Sequence, residues 1–370
     1  MKVAIIHYWF ISRRGGEKVV ESILKLFPEA DIYTLFYDKE SYGDYISNHS
    51  VTTSSLDNTF LRKRYQKIFP LYPTGIKSLK LKKDYDLVIS SESGPAKGIE
   101  IPNNCPHICY IHSPMRYCWG FTNEYLNTLP KTIRPIASYF FKKLKEWDIT
   151  TIDNVDFYIA NSFNVQKRVN DFYNRKSDVI HPPIDLKLFD TKLETRERTI
   201  YLSFGAITPY KRIDLLVETF NKNGKKLAII GEGSEKNKLK AKAKNNIQFL
   251  GSLEWNKIQE VFSQTRALIF PGEEDFGMIP LEVMAYGIPV LAFNKGGALE
   301  TVVENTSKTS ESSGLFFTKQ DSLSIEDCIN RFELIENDFN KTWIKSHARK
   351  FGEDIFLEKF QLLLKEKLNL

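Results

Sequence analysis

Residues 267–293, ALIFPGEEDFGMIPLEVMAYGIPVLAF, constrain the fold more than any other stretch of the chain. Residues 267–270 are an apolar run of the length of a buried parallel strand. Pro271 and Gly272 break it before an acidic loop, Glu273, Glu274 and Asp275. Residues 276–280 then open a helix, with Pro280 tolerated in its first turn and Leu281, Met284 and Ala285 at helical spacing. Gly287 to Pro289 end the helix, and a second apolar run, 290–293, follows at once. Strand, loop, helix and strand in that order predict an α/β fold, in which the loop at the carboxyl end of a strand is where ligands sit. Glu274 in the loop and Glu282 in the first turns of the helix can face one cleft. The amides around Gly277, Met278 and Ile279 stand at a helix N-terminus, which favours phosphate. Carboxylates that accept from hydroxyls, beside amides that hold phosphate, suit a sugar nucleotide.

At 370 residues the chain is long enough for two domains, each with its own core. Hydrophobic residues make up 42% and charged residues 26%, ordinary for a globular protein, and no apolar stretch reaches the twenty or so residues that span a bilayer. The start does not resemble a signal peptide, because the apolar run 3–6 is too short and lacks a small-residue cleavage site. Four cysteines, Cys105, Cys109, Cys118 and Cys328, point to free thiols in a reducing compartment, and the spacing of the first three lacks the paired knuckle of a structural zinc site. A cytoplasmic location follows as the expectation.

The net charge of +6 is unevenly spread. Residues 61–83 hold no acid, and Arg62, Lys63, Arg64, Lys67, Lys77, Lys80, Lys82 and Lys83 alternate with Tyr65, Phe69, Leu71, Tyr72 and Leu79. A second basic and aromatic stretch, 131–147, contains Phe140, Phe141, Lys142, Lys143 and Lys145. Each is a candidate face for an anionic membrane, with a solvated charged face or a partner enzyme as the alternatives. No recognised nucleic-acid module accompanies the charge.

The first half alternates strands and helices. Residues 3–7 read as a strand, 9–16 as a loop containing Gly15 and Gly16, and 17–26 as a helix, an arrangement that lets backbone approach a ligand. Strands are expected near 31–37, 86–90, 107–112 and 157–160, and Ser162 as a helix cap. Asp84-x-Asp86 lies at the entrance of a strand, so it reads as turn chemistry and not as a metal motif. By position alone His112 is a satisfied core histidine. Residues 179–185, VIHPPID, read as the linker between domains, since Pro182-Pro183 forbids helix. Alternation restarts with strands at 200–204, 226–230 and 247–250. Gly231-x-Gly233 is half of a dinucleotide fingerprint, without the third glycine or the later acid, and no P-loop is present. Residues 355–370 form a helix with Phe356, Phe360, Leu363, Leu364 and Leu368 near one face, free by sequence to dock on the chain, to dimerise or to lie on a membrane.

Glu274, seven residues and Glu282, set within EDFGMIPLEVMAYGIPV, resemble the E-x7-E signature of retaining glycosyltransferases of the GT-B fold, family 4. The resemblance runs from Lys2 to about Phe317. It implies two Rossmann-like, doubly wound domains facing across a cleft: residues 1–183, with the helix 355–370 packed back on them, for the acceptor, and 184–354 for the nucleotide-sugar donor. HYWFISRRGGEKVVE resembles the first-loop GG-x-E segment, so Gly15 and Gly16 would border donor phosphate and acceptor. CYIHSPMRYCWG is similar to mannosyltransferase-like members in which the histidine reaches the donor sugar; His112 would bind a sugar hydroxyl, with Arg116 and Tyr117 shaping the acceptor side.

YLSFGAITPYKRIDLLVETF resembles the phosphate-binding loop. Lys211 matches its lysine, Ala206 stands in place of its arginine, and Arg212 or a base from the first half is the candidate replacement. Lys211 and the amides of Phe276, Gly277, Met278 and Ile279 would hold the diphosphate, Glu274 the sugar hydroxyls and Glu282 the ribose, with no metal or other cofactor. The implied activity is that of a hexosyltransferase, using GDP-mannose on a polyprenyl-diphosphate-linked saccharide for bacterial O-antigen or capsule, peripheral on the inner membrane face. UDP-sugars, a non-catalytic sugar-nucleotide or polysaccharide binder marked by Ala206, and an epimerase are the alternatives.

Overall fold

The computed structural model describes residues 1–81, 84–102, 105–190 and 196–368. The chain divides into two compact units, Met1–Pro183 with Asp354–Leu370, and Ile184–Glu353. Lys82 and Lys83 of the basic run and Leu370 of the last helix lie outside the described residues.

The first unit is built on seven parallel strands: β1 (Val3–Phe10), β2 (Asp31–Tyr37), β3 (Val51–Thr53), β4 (Leu87–Glu92), β5 (His107–Ile111), β6 (Phe157–Ala160) and β7 (Ser177–Val179). Their order is β3-β2-β1-β4-β5-β6-β7, so the winding reverses between β1 and β4. Parallel neighbours need crossovers, which cover both faces of the sheet and make its central strands apolar throughout. The two core clusters that flank it follow the pleat: Val3 and Ile5 of β1 lie in one, Ala4 and Ile6 in the other.

β1 runs three residues beyond the expected 3–7, because Trp9 and Phe10 stay in register with Phe36 and Tyr37. Two edge strands, β3 and β7, have no counterpart in the sequence reading. Their residues are half-buried and carry no apolar run. β7 occupies the start of the expected linker: Ile180 N–H donates to the Ala160 carbonyl at 3.0 Å, and its own carbonyl accepts from the Tyr110 hydroxyl at 2.8 Å.

The second unit carries β8 (Ile200–Phe204), β9 (Leu227–Ile230), β10 (Ile247–Gly251), β11 (Thr265–Phe270), β12 (Val290–Phe293) and β13 (Gly314–Phe317), ordered β10-β9-β8-β11-β12-β13 and again parallel. Here the reversal falls between β8 and β11. β13, also unexpected, presses so closely on β12 that a Cβ at Gly314 would stand 1.8 Å from the Val290 carbonyl oxygen.

The run 61–83 is not a single surface. Tyr72, Ile76 and Leu79 are buried in the first unit's core, Arg62 holds Asp57 through two hydrogen bonds, and Lys80 pairs with Glu100. The last helix, Glu353–Leu368, buries Phe356, Phe360 and Leu364 against the first unit, with Phe356 edge-on to Tyr110 at 5.9 Å. Its apolar side is therefore occupied within the chain. Replacing the fully buried Phe360 by Ala should cost about 3–5 kcal/mol, read as a lowered denaturation midpoint of the first unit. An unchanged midpoint would mean that this helix is not part of that unit's core.

Candidate functional site

In open α/β sheets the loops that diverge at a reversal of strand order leave a crevice at the carboxyl ends. Each unit has one such point, and each gathers polar groups there.

In the second unit the loop after β8 ends in a single 3-10 turn, Pro209–Lys211, and the helix Ile213–Asn223 follows. Arg212 between them has φ +54°, a left-handed conformation uncommon for a residue with a Cβ. The loop after β11 brings Glu274 to the Lys211 ammonium as an ion pair, with the two side chains 11% and 16% exposed. The rings of Tyr210 and Phe270 stand 5.6 Å from the same ammonium. This is a largely desolvated pair that still reaches solvent. An incoming anion can therefore compete for the lysine and an incoming hydroxyl for the carboxylate.

The arginine beside it is engaged elsewhere: Nε and Nη2 of Arg212 donate to the two oxygens of Asp214, each at 3.2 Å. Ala206 is exposed on the same loop. Gly277 has φ +85° and caps the short helix Met278–Met284; Met278 and Ile279 are half-buried, while Phe276 and Glu282 are buried. Phe276 packs against Phe351 at 5.9 Å.

What fixes the acidic loop is a pair of residues absent from the sequence reading. Gly297 donates its N–H to the Glu274 carbonyl at 2.9 Å, a Cβ at Gly296 would stand 2.4 Å from that oxygen, and one at Gly297 would stand 2.2 Å from the Phe276 Cα. The signal was available, since Gly296-Gly297 follows the end of β12 much as Gly15-Gly16 follows β1. Close approach recurs on the other side of the reversal, where a Cβ at Gly231 would stand 1.9 Å from the Gly205 carbonyl oxygen and one at Gly233 2.2 Å from that of Ile207. The half-fingerprint Gly231-x-Gly233 thus serves backbone packing.

In the first unit, Gly15 opens the helix Gly15–Leu26 and Gly16 sits under a cluster of rings. A Cβ there would lie 2.6 Å from the Tyr8 hydroxyl, 3.6 Å from His112 Nε2 and 3.7 Å from His7 Cε1. His112 Nε2 and the Ser91 hydroxyl are hydrogen-bonded at 2.9 Å, and the backbone N–H of His112 donates to the Glu92 main-chain carbonyl at 2.8 Å. Burial, reinforced by the His7 ring, lowers the His112 imidazole to about 3. It is neutral at physiological pH and offers one donor and one acceptor, the equipment for a hydroxyl and not for a charge.

Glu17 accepts from the Arg14 N–H at 3.0 Å, closing the loop over Gly15-Gly16. Its other oxygen lies 3.8 Å from His7 Nε2, about 1 Å beyond a hydrogen bond. Both ring nitrogens of His7 and that Glu17 oxygen are buried without a partner, a group the sequence reading did not single out. Arg116 lies over the Phe121 ring at 3.9 Å, and Tyr117 packs between Phe69 and Phe141 with its hydroxyl on the Met115 sulfur at 3.2 Å.

Behind β4 lies a sealed ionic group. Lys97 pairs with Asp148, whose other oxygen accepts from the Trp119 indole at 2.7 Å and the Tyr173 hydroxyl at 2.9 Å. Glu92 accepts from the Lys97 N–H at 3.0 Å and leaves its second oxygen buried without a partner. Burial pushes the Glu92 carboxyl up to about 8, and burial alone would lower Lys97, but Asp148 and Glu92 outweigh it and hold the ammonium charged. Among the described residues no group of three or more His, Cys, Asp or Glu side chains converges as a metal set would. No helix among them is long and apolar enough to cross a membrane.

Residues 187–350 match the family model described as glycosyl transferases group 1, and residues 13–188 the model described as glycosyltransferase family 4. Between them they take in most of the chain, which belongs to the GT-B family 4 glycosyltransferases. An uncharacterized glycosyltransferase of Methanocaldococcus jannaschii is 24% identical over 97% of this chain and 95% of its own. The alpha-1,3/1,6-mannosyltransferase of Saccharomyces cerevisiae is 24% identical over 58% of this chain, a match spanning about half of the yeast protein (52%). Among solved structures, sucrose-phosphate synthase of Thermosynechococcus elongatus superposes with a TM-score of 0.73 at 15% identity, covering 100% of this chain and 99% of that one. Anabaena HepE in complex with UDP and glucose gives 0.70 at 16%, covering 99% and 100%. These likenesses show the GT-B fold.

The Glu92 carboxyl sets a pH dependence with a definite sign. Its folded value lies above the unfolded one, so its contribution to stability is full below the ordinary carboxylate range and is lost as pH rises through about 8. Between about pH 5 and about pH 8 the wild-type thermal midpoint should fall more steeply than that of Glu92→Gln, by the equivalent of a few kcal/mol. Parallel profiles would show that Glu92 is ionised throughout.

Proposed function

We propose that the protein transfers a hexose, with retention, from a nucleoside diphosphate sugar to a saccharide carried on a polyprenyl diphosphate. The observation that carries this reading is the Lys211–Glu274 pair at the strand reversal of the second unit. On donor binding the diphosphate takes the ammonium and the sugar hydroxyls take the carboxylate, so two groups that hold each other become two binding contacts. The amides from Phe276 to Ile279 serve the phosphates and Glu282 the ribose. In the first unit neutral His112 is suited to a sugar hydroxyl, and the turn at Gly15-Gly16 lets backbone come close.

In the transfer, the acceptor oxygen bonds to the anomeric carbon as its bond to the phosphate oxygen breaks. The electron pair leaves with the nucleoside diphosphate, and the hydroxyl proton passes to that departing oxygen. Lys211 stabilises the developing charge, a task that typically contributes a factor of about 10² to 10³. No metal enters this scheme.

Mannose from GDP-mannose is the favoured donor, supported by the mannosyltransferases among the relatives. A UDP-sugar is the second reading, supported by neighbours of this fold in complex with UDP and UDP-glucose. A place in bacterial surface polysaccharide synthesis, at the inner membrane face, follows from the acceptor assignment. Lys211→Ala and Glu274→Gln should each lower turnover by at least about a hundredfold with little change in thermal midpoint, measured as donor hydrolysis and transfer across a panel of GDP- and UDP-sugars. Near-normal activity in both variants would overturn the site. Hydrolysis of UDP-sugars alone would replace mannose, and donor binding without turnover on any acceptor would make the chain a binding protein.

A further inference from the structure

His7 is 0% exposed and Glu17 1%, yet both ring nitrogens of the histidine and one oxygen of the glutamate have no hydrogen-bond partner. Ser12, on the loop between them, adds a buried hydroxyl in the same condition. Buried polar atoms left unpaired are rare and costly, so several of them beside the strand reversal of the first unit call for a reason. Neither side chain is loose. Glu17 spends its other oxygen on the Arg14 N–H, and the His7 ring lies against Tyr8 at 4.0 Å and Phe10 at 4.8 Å. His7 is also in register with Ser91 of β4, whose hydroxyl is hydrogen-bonded to His112. What is left over is a donor and an acceptor facing each other, His7 Nε2 and a Glu17 oxygen, 3.8 Å apart. An oxygen about 2.8 Å from each closes a triangle on that base. A hydroxyl in that place accepts from the imidazole N–H and donates to the carboxylate, which uses both of its functions.

We propose that His7 and Glu17 form a niche for a hydroxyl of the saccharide acceptor, closed in this structure by the turn at Gly15-Gly16. The chemistry selects a hydroxyl over a phosphate. Glu17 already stands in the first turn of the helix Gly15–Leu26, so an anion arriving at that N-terminus meets a carboxylate there. Gly16 covers the niche, lying directly over the Tyr8 hydroxyl, His112 Nε2 and the His7 ring. Two successive glycines let this stretch of main chain change its path at little steric cost, which opens the way in. His112 is half-buried beside the same turn, so a sugar whose hydroxyl enters the niche has a second polar neighbour. The proposal rests on the reading that the chain transfers to a saccharide, and it names the residues that take that saccharide's hydroxyl.

The test is binding of methyl α-mannoside and methyl α-glucoside to the full chain, followed by saturation-transfer NMR, alongside calorimetry with GDP, UDP and GDP-mannose. His7→Phe removes the ring nitrogens from a site lined by aromatic rings, and Glu17→Gln keeps an oxygen for the Arg14 N–H. Each should weaken glycoside binding at least about tenfold and leave GDP and UDP binding unchanged. The thermal midpoint of His7→Phe should hold or rise, because two unpaired buried atoms are gone. Four outcomes overturn the proposal: no binding of either glycoside to the wild type, full binding by both variants, weakened binding of GDP-mannose with glycoside binding intact, which assigns the hydroxyl to the donor, or a lowered midpoint with nucleotide binding also lost, which makes the pair structural. Glycoside binding that behaves as expected in a protein unable to hydrolyse any donor keeps the niche and removes the transferase reading. Donor hydrolysis by a protein that binds neither glycoside does the opposite.

Discussion

Backbone contact at the carboxyl ends of β8, β9, β11 and β12 leaves no room for a Cβ, and the polar groups of the second unit take their places from it. Gly231 touches the carbonyl of Gly205, and Gly296 and Gly297 lie on the main chain of Glu274 and Phe276. The acidic loop is therefore held through its backbone, leaving the Glu274 side chain free of structural duty except toward Lys211. A carboxylate positioned by its own main chain can give up its partner to a ligand without loosening the loop. That is the physical content of a preorganised site: the donors and acceptors are fixed before the ligand arrives.

The first unit uses a different device. At its reversal the polar groups are rings and a carboxylate in a nearly sealed space, and charge is kept low. His112 is neutral because burial disfavours its cationic form. A proton on Glu92 would leave Lys97 and Asp148 as a balanced pair, where two ionised carboxylates beside one ammonium would leave a net negative charge in the core. Glu17, in the helix that follows β1, and Glu92, the last residue of β4, each keep one oxygen without a partner. Such groups are rare in native interiors, and they lie around the strand end from which His112 follows.

Much of this was legible in the sequence, and the pattern of what was not is instructive. Strands buried on both faces announce themselves as short apolar runs, so β8 and β12 match their expected bounds to the residue. Edge strands β3 and β7 are half-buried and give no such signal. Lys211 and Glu274 could be named because each follows a strand end in a recognisable string, whereas their pairing is a matter of loop geometry that spacing does not encode. Gly296 and Gly297 were readable in principle from their place after β12. The neutral state of His112 and the orphaned atoms of His7 and Glu17 depend on side chains brought together from three strands and one helix, which no local pattern reports.

The basic run 61–83 shows why composition misleads about surfaces. Charge density along a sequence counts residues, but a surface is made of what the fold leaves outward. Arg62 is drawn to Asp57, Arg64 lies over Phe60 at 4.1 Å, and Tyr72, Ile76 and Leu79 face inward while Leu71 stays exposed. On the helix Arg134–Thr150 the same mixture is sorted by helical periodicity, with Phe141 and Leu144 turned to the core and Ile136, Tyr139 and Phe140 turned away from it. A helix keeps its core side and its outward side apart by its period, whereas the run 61–83 divides its residues among core, ion pairs and solvent with no single period to announce which goes where.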